Sequence, residues 1–114
     1  MTSESQFIAA AEATLAAIGA GLDAALASSD ADVDWSQNDG ILEIEGTDGA
    51  KLIVNRHVAN REIWVAARSG GFHFAPRDGR WRDTRNGEEL AAALARLVRS
   101  HMGLAADFGE LPAP

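Results

Sequence analysis

The sequence predicts an α+β fold, a two-layer sandwich in which two helices pack on one face of an antiparallel sheet of about six strands. Two segments, 4–27 and about 87–102, carry apolar stripes with helical spacing. Between them, short segments alternate apolar and polar residues and are separated by tight-turn sequences. Because each helix and the sheet have one apolar side, the simplest burial places both helices on the same face of the sheet.

The N-terminal helix is predicted at 4–27. Ser3, followed three residues later by Gln6, resembles a capping box that starts a helix. Gly19 and Gly21 each cost about 1 kcal/mol relative to alanine inside a helix, so the last third is its weakest part. The apolar stripe consists of Phe7, Ala11, Leu15, Ile18, Leu22 and Leu26.

Six strands with short connections are predicted in the middle of the chain. Turn sequences at 38–40 and 47–49 indicate hairpins, so consecutive strands should pair in antiparallel order. The C-terminal helix should start at a capping box formed by Asn86 and Glu89 and stop at Gly103. The strands are expected at 31–36, 41–45, 51–56, 62–68, 72–75 and 80–83.

Length and composition limit the function classes. The 114 residues suit one domain, with a core at about 4–103 and a tail at 104–114 in which Leu104 and Phe108 could pack against the helices. The absence of cysteine excludes disulfides, thiolate zinc sites and cysteine-ligated clusters. A formal charge of −7 disfavours nucleic acid and anionic membranes as partners.

The N-terminal segment gives an expectation for location. Residues 1–12 contain two acids and no Lys or Arg, unlike a signal peptide or an organelle transit peptide. Glu12 and Asp23 interrupt the apolar run of the first helix, which disfavours a membrane span. We therefore expect a cytoplasmic protein, with a monomer as the default oligomeric state.

A ladder of acidic side chains precedes the first turn. If the segment is a strand, its carboxylates point to one side, about 6.6 Å apart at the backbone. That spacing is too wide for a closed cage, so it predicts a weak, exchangeable site for a hard cation such as Fe²⁺, Fe³⁺, Mn²⁺ or Ca²⁺. Glu12 and Asp23 share a helix face and could extend it. The alternative is an edge strand whose charges prevent aggregation. Asp30, Asp32 and Asp34 alternate with Ala31, Val33 and Trp35.

The sheet face turned away from the helices is predicted to carry Asn55, Trp64 and His73. Alternation in the strands places their neighbours in the core, and an outward tryptophan is typical of an interaction surface. The alternatives are that the loop at 57–61 covers Trp64, or that a lone exposed aromatic has no role. The histidines at 57, 73 and 101 share no catalytic spacing, and the sequence has no nucleophile elbow, phosphate loop or dinucleotide fingerprint.

Five short motifs between the two helices resemble bacterial frataxins, from about Ser5 to Gly103. The loop after the second motif departs from the family, with His57 and Ala59 where Gln and Pro are usual. The motifs are Asp-Gly-Ile-Leu at 39–42, Leu-Ile-Val-Asn-Arg at 52–56, Glu-Ile-Trp-Val-Ala at 62–66, Ser-Gly-Gly-Phe-His-Phe at 69–74 and Trp-Arg-Asp at 81–83.

This resemblance implies a role in iron–sulfur cluster assembly. It implies weak iron binding, with no bound cluster or nucleotide, and docking on a cysteine desulfurase and its scaffold protein, with iron donation or regulation as the outcome. Two alternatives remain open: an iron-oxidising or iron-storing oligomer, and an acidic interaction module in which metal binding is incidental. Carried over to this chain, Asp23, Asp30, Asp32 and Asp34 resemble the acidic ridge, and Asn55 and Trp64 the sheet-face contacts, with His73 beside them.

Overall fold

The computed structural model describes residues 3–114. In sequence, one helix precedes the six strands of a single sheet and one helix follows them. The strands lie in sequence order, each antiparallel to the next, which confirms the predicted architecture. The elements are α1 (Glu4–Ala27), β1 (Asp34–Asn38), β2 (Ile41–Glu45), a 3-10 turn (Thr47–Gly49), β3 (Lys51–His57), β4 (Glu62–Ala67), β5 (Gly70–Arg77), β6 (Arg80–Asp83) and α2 (Leu90–Met102).

The first strand begins later than predicted. β1 starts at Asp34 rather than at residue 31, and residues 29–33 are irregular. The reason is the length of its neighbour: Asp34 pairs with Glu45, the last residue of β2, so residues before Asp34 have no strand to pair with. The prediction that Asp30 and Asp32 belong to a strand is therefore wrong.

The second helix also begins later than predicted, and its predicted capping box is absent. The N-cap is Glu89, which makes no side-chain cap bond, and Asn86 instead accepts a hydrogen bond from the backbone N–H of Glu88. Glu89 pairs with Arg82 in a β-bridge. This bridge holds the segment before α2 extended beside β6, so the helix starts only at Leu90. The capping box of α1 at Ser3 and Gln6 is confirmed.

One core lies between the helices and the inner face of the sheet. Trp81 is its largest side chain: the indole packs edge-on against Phe7, with ring centroids 5.8 Å apart, and its Nε1–H donates to Thr14 over 2.9 Å. By length and composition, α1 is apolar enough to cross a membrane. Its apolar stripe is instead buried against the sheet, as expected for a core helix.

The core extends beyond residue 103, the limit that the sequence suggested. Leu104, Phe108 and Leu111 are buried, so the tail is part of the packed structure. Further along, Pro112 forms a β-bridge with Arg80 and closes the edge of β6.

The two glycines of α1 fit aromatic side chains against the helix. A Cβ on Gly19 would lie 2.5 Å from the Trp35 ring, and one on Gly21 would lie 2.7 Å from the Phe108 ring. Trp35 of β1 and Phe108 of the tail fill the space that larger residues at these positions would occupy. The two glycines are therefore accommodated inside the helix by packing.

Replacing Gly19 with alanine is expected to destabilise the protein. Alanine gains about 1 kcal/mol of helix propensity, but a methyl group forced against a packed ring typically costs about 1–3 kcal/mol. Trp35 cannot easily move, since its Nε1 is bonded to Asp23. Urea unfolding should show a net loss of about 1 kcal/mol, together with a change in tryptophan fluorescence. The control is Ala20→Gly on the exposed side of α1, where only the helix propensity changes. A Gly19→Ala variant that is more stable than the wild type would contradict the packing of Trp35 on Gly19.

Candidate functional site

Three aspartates lie exposed where the chain leaves α1 and enters β1. Asp30, Asp32 and Asp34 face solvent, whereas Val33 is buried and Trp35 is half-buried. The alternation of burial predicted from the sequence therefore holds, although only Asp34 is in the strand. These carboxylates stand on the outside of the fold at the open edge of the sheet.

The hairpin of β1 and β2 brings further carboxylates to the same edge. Asp34 lies directly opposite Glu45, and Glu43 lies opposite Ser36. Opposite residues of an antiparallel pair have Cα atoms about 4.5–5.5 Å apart, closer than the 6.6 Å or so between same-face neighbours on one strand. With Trp35, these four residues line a shallow concavity of about 100 Å³. Two carboxylates from neighbouring strands can thus approach one ion more closely than the predicted ladder on a single strand.

Glu43 and Glu45 are the residues that the sequence reasoning missed. Their alternation with Leu42 and Ile44 predicts that they face solvent, but it does not indicate that they lie beside the aspartates. The tight turn at Asp39–Gly40, where both residues have positive φ, sets the register of this hairpin. Counting outward from that turn would have placed Glu45 opposite Asp34.

Of the two acids predicted on α1, only Asp23 reaches this edge. Its carboxylate accepts a hydrogen bond from Trp35 Nε1 over 2.8 Å, which ties the end of α1 to β1. Glu12 instead pairs with Arg56, Oε1 to Nη1, over 3.1 Å, and Arg56 also lies 3.7 Å from Asp39. Eleven residues of helix separate Glu12 from Asp23 by about 16 Å. Glu12 is therefore partly neutralised at a different place.

The acidic edge, defined as Asp23, Asp30, Asp32, Asp34, Glu43 and Glu45, is an open surface. Within residues 3–114, no group of three His, Asp or Glu side chains converges to hold a metal ion. Two facing carboxylates can hold a hard cation that keeps most of its water, which gives weak and exchangeable binding. The edge also presents unbalanced negative charge to a basic protein surface.

The outer sheet face carries an aromatic stack. Strand pairing sets Asn55, Trp64 and His73 side by side, as the sequence predicted. The Trp64 ring lies between two imidazoles: its centroid is 3.7 Å from that of His57 and 4.2 Å from that of His73, and the rings are nearly parallel. Its Nε1–H donates to Glu62 over 2.7 Å, which fixes the orientation of the indole. Trp64 is thus half-buried by histidines on both faces.

The sequence predicts His57 in a loop and not on this surface. It is the last residue of β3 and pairs with Glu62, so it shares the outer face with Trp64. The third strand runs one residue further than predicted because Glu62 gives His57 a partner. Extending the hairpin register from Asn55 and Trp64 by two residues would have found it.

A larger groove of about 750 Å³ runs between α1 and the tail, away from both surfaces. Alanine and proline form most of its lining, and Gln6 and Thr14 are its polar side chains. Thr14 already accepts the hydrogen bond of Trp81. With no titratable side chain in its wall, this groove offers neither a metal ligand nor an acid or base.

Comparisons with known proteins agree with this geometry. The family model for the frataxin-like domain matches residues 1–104. The chain is 47% identical over 107 residues to the iron–sulfur cluster assembly protein CyaY of Cupriavidus taiwanensis, covering 93% of this chain and 96% of the relative. It is also 47% identical over 95 residues to the CyaY protein of Ralstonia nicotianae, covering 83% and 84%.

Solved structures show the same fold. Frataxin from Psychromonas ingrahamii superposes with a TM-score of 0.86 at 29% identity, covering 96% of this chain and all of that one. Trimeric frataxin from the yeast Saccharomyces cerevisiae, complexed with ferrous iron, superposes with a TM-score of 0.71 at 26% identity, covering 82% and 86%.

Proposed function

This chain belongs to the frataxin-like family, and on that premise we propose that it is a non-catalytic iron-binding protein of iron–sulfur cluster assembly in the bacterial cytoplasm. Its relatives carry the name of that process, and a related structure is complexed with ferrous iron. The observation that carries the proposal is the pair of carboxylates on Asp34 and Glu45, facing each other across the open edge of the sheet.

Iron is the cargo in this proposal, held at the acidic edge. The facing carboxylates of Asp34 and Glu45 would contact the ion, and Asp30 and Asp32 would raise the local negative potential. Hard oxygen ligands suit Fe²⁺ and Fe³⁺, and an open site releases its ion readily, as a donor requires. Asp23 contributes charge, since one of its oxygens already bonds Trp35.

The partner contact is proposed to use both surfaces. The acidic edge would steer a basic face of a cysteine desulfurase, since opposite charges accelerate encounter. Asn55, Trp64 and His73 would then contact the desulfurase or its scaffold protein. The preformed stack of Trp64 between His57 and His73 favours this because a rigid aromatic side chain loses little conformational freedom on binding.

One alternative has a specific observation in its favour. The described residues offer no site with three ligands for one ion, as expected for an acidic interaction module in which metal binding is incidental. An iron-oxidising or iron-storing oligomer is disfavoured because the sequence has no Glu-x-x-His motif of the kind that di-iron bundles use. The alternatives differ in one measurable respect: the module predicts docking without iron binding at the edge.

The test is to neutralise the predicted ladder. In the Asp30→Asn, Asp32→Asn, Asp34→Asn variant, anaerobic Fe²⁺ should no longer broaden amide NMR signals of residues 30–45. Affinity for the desulfurase should fall about tenfold at low salt, since three exposed charges of about 0.5 kcal/mol each are lost. In high salt the difference should shrink, because screening removes the contribution of exposed charges.

A matched variant controls for net charge. Glu4→Gln, Asp78→Asn and Glu110→Gln remove the same three charges at exposed positions away from the acidic edge. This variant should keep both the iron-dependent broadening and most of the affinity. Iron broadening centred elsewhere in the wild-type protein would contradict the proposed site, and docking without any iron binding would support the interaction module.

A further inference from the structure

The charges of this chain are separated along the sheet. The first 50 residues contain ten acids and no Lys or Arg, and all ten Lys and Arg residues lie in 51–114. Because the strands lie in sequence order, this division becomes a spatial one. The outer face runs from carboxylates on β1 and β2, past the Trp64 stack, to arginines on and after β5 and β6.

Three arginines form the basic end, here called the arginine patch: Arg77, Arg82 and Arg85. Arg77 pairs with Arg80 across the last hairpin, and Arg82 pairs with Ala75. Because Trp81 points into the core, the side chains of Arg77 and Arg82 point to the outer face of the sheet. Like charges facing each other across strands destabilise a hairpin. Here Glu89 and Glu110 offset the charge of Arg80, so within the described residues Arg77 is the member of this pair without a carboxylate partner.

The patch lacks the carboxylate partners that three of the other arginines have. Arg56, Arg80 and Arg96 each pair with a carboxylate, and the hydrogen bond from Glu88 raises the pKa of Arg96. None of the ion pairs within the described residues includes a member of the arginine patch.

Two members of the patch are held in place by backbone carbonyls. Arg82 donates to Gly87 O over 3.2 Å, and Arg85 donates to Gly71 O over 2.6 Å. Each guanidinium has five N–H donors, so most donors stay available after one bond. The two guanidinium groups are thus oriented, but within the described residues no carboxylate pairs with them.

A recess lies beside Arg85. Gly71, His73, Thr84 and Arg85 line a concavity of about 270 Å³ on the outer face. A Cβ on Gly71 would meet no atom within 4 Å, so the space above this residue is open. An extended segment of a partner can approach the backbone here and place an acidic side chain against Arg85.

The acidic edge does not prevent such binding. Five strand spacings separate β1 from β6, about 24 Å, whereas the Debye length at physiological salt is about 8 Å. The two ends of the outer face therefore act separately toward a partner. An anionic bilayer or a nucleic acid, which extends over a much larger area, would meet both ends and be repelled by the acids.

We propose that the arginine patch is a second docking surface, which binds an acidic segment of a protein partner through carboxylates on Arg82 and Arg85. Arginine suits this chemistry because its planar fork pairs with a carboxylate through two hydrogen bonds. The protein would thus present a negative end to a basic partner and a positive end to an acidic one. This surface is independent of iron binding at the acidic edge.

The test uses a 12-residue peptide of alternating Glu and Ala, with its Gln counterpart for comparison. In NMR titration of the full chain at 0.15 M salt, the Glu peptide should shift amides at 71–73, 77 and 82–85, and the Gln peptide should not. Arg82→Glu with Arg85→Glu should weaken binding at least tenfold. Arg77→Glu, which removes no internal hydrogen bond of the described residues, should weaken it several-fold with unchanged thermal stability.

Lys51→Glu with Arg99→Glu is the matched control, because it makes the same charge change away from the arginine patch and should alter affinity less than twofold. Equal binding of the Gln peptide, or equal weakening by the control, would overturn the proposal. Inorganic phosphate binding at the same amides with equal affinity would show a small-anion site instead. Arginine-dependent sedimentation with vesicles containing anionic lipid would show a membrane surface instead.

Discussion

Replacing Trp81 with alanine is expected to lower the free energy of unfolding by about 3–5 kcal/mol, the usual range for truncating a buried aromatic residue. Trp81 is fully buried, packs against Phe7 and bonds Thr14, so the change leaves a cavity and an unsatisfied hydroxyl. Domains of this size are stable by about 5–15 kcal/mol, so much of the stability would be lost. Urea unfolding should show the transition at a lower concentration, with an unchanged slope.

Conservative variants separate the cavity from the hydrogen bond. Trp81→Phe keeps part of the ring but leaves Thr14 without its donor, which should cost at least about 1–3 kcal/mol. Adding Thr14→Val to that variant removes the unsatisfied hydroxyl and should recover part of the loss. A loss below about 1 kcal/mol for Trp81→Ala would contradict the packing of this core.

Replacing Trp64 with alanine is expected to affect docking rather than folding. A tryptophan at the centre of a contact surface typically contributes at least about 2 kcal/mol, so affinity for the desulfurase–scaffold complex should fall about 30-fold or more. The side chain lies on the solvent side of the sheet, so stability should change by only about 1 kcal/mol. Titration of the complex with wild-type and variant protein measures the first effect, and urea unfolding measures the second.

The histidines on either side of Trp64 provide the controls. Trp64→Phe keeps an aromatic ring between His57 and His73 and should retain part of the affinity. His57→Ala uncovers one face of the indole without removing it, so it should change the fluorescence of Trp64 and weaken docking less than Trp64→Ala does. Unchanged affinity in Trp64→Ala would show that the outer face is not the contact.

The layout of this fold could be predicted because its signals are local. The stripe of α1, the alternation in the strands and the turns at Asp39–Gly40 and Asp78–Gly79 each involve neighbours in sequence. The limits of β1 and α2 could not, because they depend on distant partners. β1 starts where Glu45 ends β2, and α2 starts after Glu89 pairs with Arg82.

The candidate site shows the same division. Alternation placed Asp34, Trp64 and His73 on the outside, and the structure agrees. Glu45 and His57 needed the register between strands, which follows only when the hairpins are known. The pairing of Glu12 with Arg56 joins residues 44 positions apart, and no pattern within the N-terminal helix indicates it.

The covered edge of β6 limits how copies of this protein can polymerise through their sheets. Pro112 and Glu89 occupy the outer hydrogen-bonding edge of β6, so within the described residues only β1 offers unpaired backbone groups along a strand. Strand-to-strand addition between copies must therefore stop after two, since a growing fibril needs two free edges per subunit. A deletion of residues 110–114 would uncover only the Arg80 end of β6, because the bridge between Arg82 and Glu89 would remain.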